Sequence, residues 1–506
     1  MSDVFDGDEV ERDKISKQLK VVTETTKLVS TSTIPDLVAL HDALSSGETL
    51  TATVLTGGLT NYSYKVHVTN NDNDSVKPIF VKLSFPYALW SSDKNLHYDL
   101  QRTKNEFDMM QLFAGLAPGH VATPFLCHSI PADASNPYEM LMLVTEWCTS
   151  DEQLANQWLD GVVDDRIAEP FGRAVAKLHM QPFEEGYNQA VNKTVADCIW
   201  PASEDKFTEL LAQDDGENER YGLLAREFGP EKLFGLLARL KASFETKEVF
   251  AHSDLHSFNI LVEKKPDASE LVSFGPTGNF MLCDWEMTSG CPVGRDFGTF
   301  SAFPVLCILT NARLGHAAAA LELRSTLHRF VDAYLAALAE EGKDEEYINA
   351  AYRNIIAFTG YFTHIYVALG VHYDCLPLDS SSSELSVVLE SLGVLSLRFL
   401  ELGLDGPSEG LSRSSLRSKF DSLLDVEVAS LSAVSTRRRG RRGSVLRESG
   451  TVISDSGRYV KKNFGEKVFE GQKNFGEKVK GAFESIGTTI KKGGAGVASS
   501  FKSAGV

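Results

Sequence analysis

The segment "HSDLHSFNIL", residues 252–261, constrains this 506-residue chain more than any other stretch. It carries two histidines, the carboxylate of Asp254 and, five positions later, the carboxamide of Asn259; an apolar run follows at once. Ser, Asp, His and Asn are ordinary loop residues, so a solvated loop is one reading. A loop that positions a hydroxyl and a metal ion is the other. Twenty-five residues beyond Asn259, "FMLCDWE" puts Asp284 directly after a second apolar run. A carboxylate at a strand end, facing a loop with Asp254 and Asn259, makes an oxygen-rich cluster suited to Mg²⁺.

The region before this loop reads as a small sheet with one helix. Thr33 and Pro35 open a helix pattern with apolar residues at Leu37, Leu40 and Leu44. Strand-like runs follow: "TATVL", then "YSYKVHV" after a Gly-Gly turn, then "PIFVKLSF" after "NNDNDS". A helix pattern covers "YDLQRTKNEFDMMQLF", and "EMLMLVTEW" reads as another strand. Gly57 and Gly58 let the backbone approach a ligand and aim N–H groups at phosphate oxygens, but a hairpin turn with no ligand explains them as well. Lys82 interrupts an apolar strand, where a charge needs a partner or a ligand unless strand alternation turns it to water. Glu106 on the next helix is its candidate counter-charge, while Lys104 and Asp108 keep open an exposed charged face. Beyond residue 149 the pattern is mostly helical, as in "RIAEPFGRAVAKLHM" and "LFGLLARLKASF".

The ordered series Gly-Gly, Lys, Glu, H-x-D-x-x-x-x-N, D-x-E resembles the aminoglycoside phosphotransferase and choline kinase superfamily. The resemblance covers about residues 35–405. It implies an α+β, protein-kinase-like two-lobed fold, with a small N-terminal antiparallel sheet lobe and a larger, mostly helical C-terminal lobe. It implies ATP and Mg²⁺ as cofactors and phosphoryl transfer to a small-molecule hydroxyl. Asp254 orients that hydroxyl, Asn259 and Asp284 ligate the metal, and Glu286 reaches the second metal or its waters. Lys82 and Glu106 clamp phosphates, Asn61 joins Gly57 and Gly58 at the nucleotide, and Glu146, Trp147 and Cys148 form the adenine hinge. His252 supports the loop, as does Asp296 in "VGRDFGTF"; His256 touches substrate or braces the loop. "LTNYSYKV", "LQRTKNEF" and "SDLH" resemble methylthioribose kinases, whereas Asn259 and D-x-E agree better with choline and ethanolamine kinases. Trp285, Tyr361, Tyr366 and Tyr373 are candidates for a cation–π cage, although Phe358, Phe362 and Tyr366 at i, i+4, i+8 read more readily as helix core. A catalytically silent nucleotide-binding module is the competing reading.

Composition divides the chain further. The formal net charge is −19, yet residues 437–506 carry +10, leaving −29 on the rest. That asymmetry argues against nucleic-acid binding by the body and points any polyanionic partner to the tail. The expected organisation is a flexible segment at 1–34, a nucleotide-binding lobe at 35–148, a catalytic lobe at 149–405, a disordered basic linker at 406–457 and an amphipathic tail at 458–506. In the tail "KNFGEKV" recurs after 11 residues, returning Phe464, Val468, Phe475 and Val479 to one helix face. Three readings of 458–492 stand side by side, namely peripheral contact with a lipid surface, a partner-binding helix and a disordered tail weakened by its glycines; Ser444 in "RRGS" resembles a basophilic kinase site. Seven scattered cysteines without a C-x-x-C pair and no apolar leader point to a cytoplasmic protein.

Overall fold

The computed structural model describes residues 7–55, 61–68, 76–87, 99–133, 137–148, 152–181, 200–212, 219–263, 279–369, 375–378, 383–405 and 411–442. Gly57, Gly58, Tyr373, Ser444 and the repeat tail lie outside the described residues. The sheet lobe holds β1 (Leu50–Leu55), β2 (Tyr62–Val68), β3 (Ile79–Ser84), β4 (Pro124–Ile130) and β5 (Met140–Glu146), antiparallel in the order β1-β2-β3-β5-β4. Tyr64, Val66 and Val68 alternate inward on β2, as a half-buried strand requires. Central β3 is buried on both faces, and Lys82 stands opposite Ser63 on one side and Leu143 on the other. Helix α3 (Gln101–Leu116) packs on the sheet at its junction with the second lobe.

The helical lobe is built round α8 (Arg295–Leu314), nearly all of whose residues are buried. By length and composition α8 could cross a membrane, but 94% of its apolar window is covered by its own protein, so it is a core helix. Helices α5 (Ala168–His179), α9 (Ala317–Glu340), α10 (Glu345–Leu369) and α11 (Ser383–Asp405) pack round it, with α6 (Trp200–Ala212) and α7 (Glu219–Glu245) against α10 and α11. Two small sheets face the other lobe. One pairs β7 (Val249–Ala251) with β10 (Ser289–Cys291); the other joins β6 (Glu152–Gln153), β8 (Ile260–Val262) and β9 (Phe280–Leu282). Short α4 (Leu154–Leu159) follows β6. The architecture is the α+β, kinase-like pair of lobes implied by the resemblance.

Two segments depart from expectation. Residues 7–29, expected within a flexible lead-in, form helix α1, followed by α2 (Pro35–Ser45). Val21, Thr25 and Val29 are buried and Leu28 packs beside them, at i, i+4, i+8 and i+7 on one face. The abundant charges mask this narrow stripe in the sequence. Residues 413–442, expected within a disordered linker, form helix α12. Leu416, Phe420, Leu424 and Leu431 are buried against the helical lobe, and spacings of four, four and seven keep them on one face through a Ser- and Arg-rich composition.

Candidate active site

After β7 the chain turns through Ser253, whose φ of 70° is left-handed, and arrives at Asp254. That turn is unfavourable for a side-chain-bearing residue and needs support. Asp296 supplies it from the start of α8: its carboxylate accepts from His252 N at 2.8 Å and Ser253 N at 2.9 Å, and lies 3.2 Å from His179 Nε2. Arg295 Nη2 donates to Ser253 O at 3.1 Å. His252 is buried, with Nε2 3.0 Å from Cys283 O, which ties the loop to the residue before Asp284.

Asn259 Nδ2 donates to Asp254 O at 3.0 Å and lies 3.3 Å from Asp254 Oδ2. His256 Nε2 is 3.6 Å from the same carboxylate oxygen. Burial opposes the charge on Asp254, but His256, His252 and Arg295 outweigh it and hold the carboxyl well below the usual carboxylate range. The β8–β9 hairpin brings Asn259 beside Asp284: Ile260 stands opposite Leu282, and Cys283 N donates to Asn259 O at 3.0 Å. Asp284 is the second left-handed non-glycine among the described residues, at φ 64°, so its side chain leaves the strand line towards the sheet lobe.

There it meets Lys82. The ammonium donates to Glu106 Oε2 at 2.8 Å and Asp284 Oδ1 at 2.6 Å, and lies 3.2 Å from Glu286 Oε2. Oxygens of the three carboxylates lie within 4.8 Å of one another. Burial, then the neighbouring anions, push Glu106 up to about 7 against the pull of Lys82. The same causes raise Asp284. Burial disfavours the charge on Lys82, yet Asp284, Glu106 and Glu286 raise it well above its ordinary value. With Arg102 beside Glu286, three acids face two bases. Excess negative charge on an all-oxygen donor set, Asp284 with Asn259 alongside, fits a hard divalent cation.

A model of a phosphotransferase enzyme family matches residues 51–272, the sheet lobe through the loop of Asp254 and Asn259. Over this segment the chain is similar to the phosphotransferase enzyme family. A search of curated proteins gives no match. Similar solved structures include a choline kinase from Cryptosporidium parvum, 15% identical, covering 71% of this chain and 91% of that one at a TM-score of 0.38. A Plasmodium vivax ethanolamine kinase is 14% identical, covering 80% and 95% at 0.36. A glucosamine kinase is 12% identical, covering 72% and 83% at 0.38.

The junction of the lobes brings together Asp254, Asn259, Asp284, Lys82, Glu106, Glu286, His252 and Asp296. The hinge candidates sit at the end of β5: Glu146 Oε1 accepts from Thr123 N at 2.9 Å, and Lys65 Nζ lies 4.6 Å above the Trp147 ring. Cys148 follows, partly buried. The cage does not form from the described aromatics. Trp285 is fully buried between Phe113 and His252, Tyr361 packs on Trp200 at 4.8 Å, and Tyr366 is buried, so the stripe on α10 is core. Four residues escaped the sequence reading: Arg102, His179, Arg295 and Tyr334, whose hydroxyl lies 2.6 Å from His179 Nδ1. Arg102 was within reach, because it lies four positions before Glu106 and therefore on the same face of α3.

Proposed function

We propose that this phosphotransferase is an ATP- and Mg²⁺-dependent kinase acting on an alcohol of a small molecule. The observation that supports it is the meeting of Lys82, Asp284 and the Asp254–Asn259 loop across the two lobes. Asn259 and Asp284 would hold Mg²⁺, which when bound neutralises charge on the transferring phosphoryl group. Lys82, kept charged and placed by Glu106, holds phosphate oxygens. Asp254 stays ionised and accepts a hydrogen bond from the acceptor hydroxyl, aligning its oxygen for in-line attack. Burial of the described aromatic candidates removes the argument for a quaternary-ammonium cage, while Asn259 and D-x-E still agree with choline and ethanolamine kinases; choline, ethanolamine and methylthioribose are the acceptors to compare. The scattered cysteines favour a reducing, cytoplasmic setting, and the basic tail a peripheral lipid contact through 458–492, read by vesicle co-sedimentation with and without anionic lipid.

Substituting Asp254→Ala is expected to lower turnover by about a hundredfold or more while the ATP-induced thermal shift persists. A phosphate-transfer assay across choline, ethanolamine, methylthioribose and aminoglycosides identifies the acceptor. Retained turnover in the Ala variant refutes the role of Asp254.

A further inference from the structure

Asn61 and Glu286 were expected to face nucleotide and metal, but their side chains are directed at each other. Asn61 Nδ2 donates to Glu286 Oε2 at 2.7 Å, and Asn61 Oδ1 accepts from Arg102 Nη2 at 2.8 Å. Arg102 Nε reaches the same Glu286 oxygen at 3.3 Å, and Lys82 Nζ lies 3.2 Å from it. Arg102 Nη1 donates to Phe85 O and Asp99 O, each at 3.2 Å, so the backbone at both ends of the β3–α3 connection aims the guanidinium. All three side chains are at least 95% buried. Asn61 heads β2 and Arg102 opens α3, both in the sheet lobe; Glu286 lies in the turn after Asp284 in the helical lobe.

A buried carboxylate that accepts several charge-assisted bonds is strongly held. Drawing Glu286 out to a metal would leave the guanidinium short of an acceptor in a buried setting, at considerable cost. We propose that Asn61, Arg102 and Glu286 form an inter-lobe latch, with Arg102 as its positioning residue, and that Glu286 sets the closure of the lobes instead of ligating metal. The latch acts on ATP because Lys82 is in the sheet lobe and Asp284 in the other, two residues from Glu286. Their separation follows from how the lobes are pinned. This inference rests on the kinase reading above.

The test titrates Mg-ATP into the wild-type chain and the variants Arg102→Met, Arg102→Lys, Asn61→Ala and Glu286→Gln, by calorimetry, without acceptor. Arg102→Met is expected to weaken ATP about tenfold, the scale of one lost charge-assisted bond. Arg102→Lys restores little, since an ammonium cannot span Asn61 and Glu286 as a guanidinium fork does. The double variant Arg102→Met/Glu286→Gln is expected to be no weaker than the worse single one. The Mg²⁺ concentration for half-maximal ATP binding stays put in Glu286→Gln and rises in Asp284→Asn. Unchanged ATP affinity in folded Arg102→Met overturns the latch, as does a Glu286→Gln shift in Mg²⁺ dependence matching that of Asp284→Asn. Should Arg102→Met not fold, Asn61→Ala and Glu286→Gln decide by the same affinities. Wild-type protein that binds no Mg-ATP instead overturns the kinase reading itself, and the latch with it.

Discussion

The carboxylate of Asp296 is fully buried and meets His252 N, Ser253 N and His179 Nε2 with its two oxygens. Asn at this position has one acceptor oxygen and turns an N–H₂ towards backbone donors, so at least one bond to a charged acceptor is lost. Asp296→Asn is expected to cost about 1.5–3 kcal/mol in urea unfolding and to lower turnover, because Ser253 loses its brace. The pH dependence has a definite sign. Burial raises the Asp296 pKa, but His179, His252 and Arg295 more than reverse this, so the folded value lies below the unfolded one of about 3.9. The stabilisation is therefore complete above about pH 4 and is lost as pH falls through the folded value. Wild-type stability should drop more steeply below pH 4 than that of the Asn variant; parallel acid limbs would contradict this. Asp254, Asn259 and Asp284 were legible because each follows or precedes an apolar run at fixed spacing. Arg295 and Tyr334 were not, since their roles arise from contacts across the helical lobe that no local pattern encodes.

At the level of elements, α12 shows what a composition average hides. Arg417 pairs with Asp332 at 2.7 Å, Asp421 with His328 at 2.6 Å, and Asp425 with Arg324. The partners step by four in opposite directions along α12 and α9, which is the register of two antiparallel helices. Such exposed pairs fix register more than they stabilise, at about 0–1 kcal/mol each. Docking comes from the apolar stripe, where Phe420 lies stacked 4.3 Å from Phe399 on α11. Phe420→Ala is therefore expected to cost about 3–5 kcal/mol in urea unfolding and Arg417→Ala less than about 1. The reverse order would show that charge holds this helix. The same reasoning applies to α1, where a narrow stripe sits among Lys, Glu and Thr. Both helices were missed because only a narrow stripe of each is apolar.

For the whole molecule, the two lobes do not have two separate cores. One apolar cluster belongs to the sheet lobe alone, from Val21 and Leu37 through Tyr64 and Val81 to Val144. The main cluster of the helical lobe, however, runs on into α3 and β5 through Met109, Met110, Phe113 and Leu143. The pivotal contact is Phe113 on Trp285, both fully buried, with ring centroids 4.7 Å apart. The two residues lie far apart in the chain, so no periodicity announces the contact, although the division into lobes is legible from strand and helix patterns. The consequence is that α3 ties the sheet lobe to the helical lobe while it carries Glu106 to Lys82. Cooperativity follows from the same contact, since the sheet cannot open without disturbing a helix anchored in the other core. Phe113→Ala removes the anchor and is expected to cost about 3–5 kcal/mol. In the wild-type chain, amides of β1–β3 and of α8 should exchange with solvent at one common opening free energy. In the variant the β1–β3 amides should exchange at a lower opening free energy than α8, as the sheet gains freedom to unfold alone. If both sets shift equally, Phe113 contributes stability without coupling the lobes.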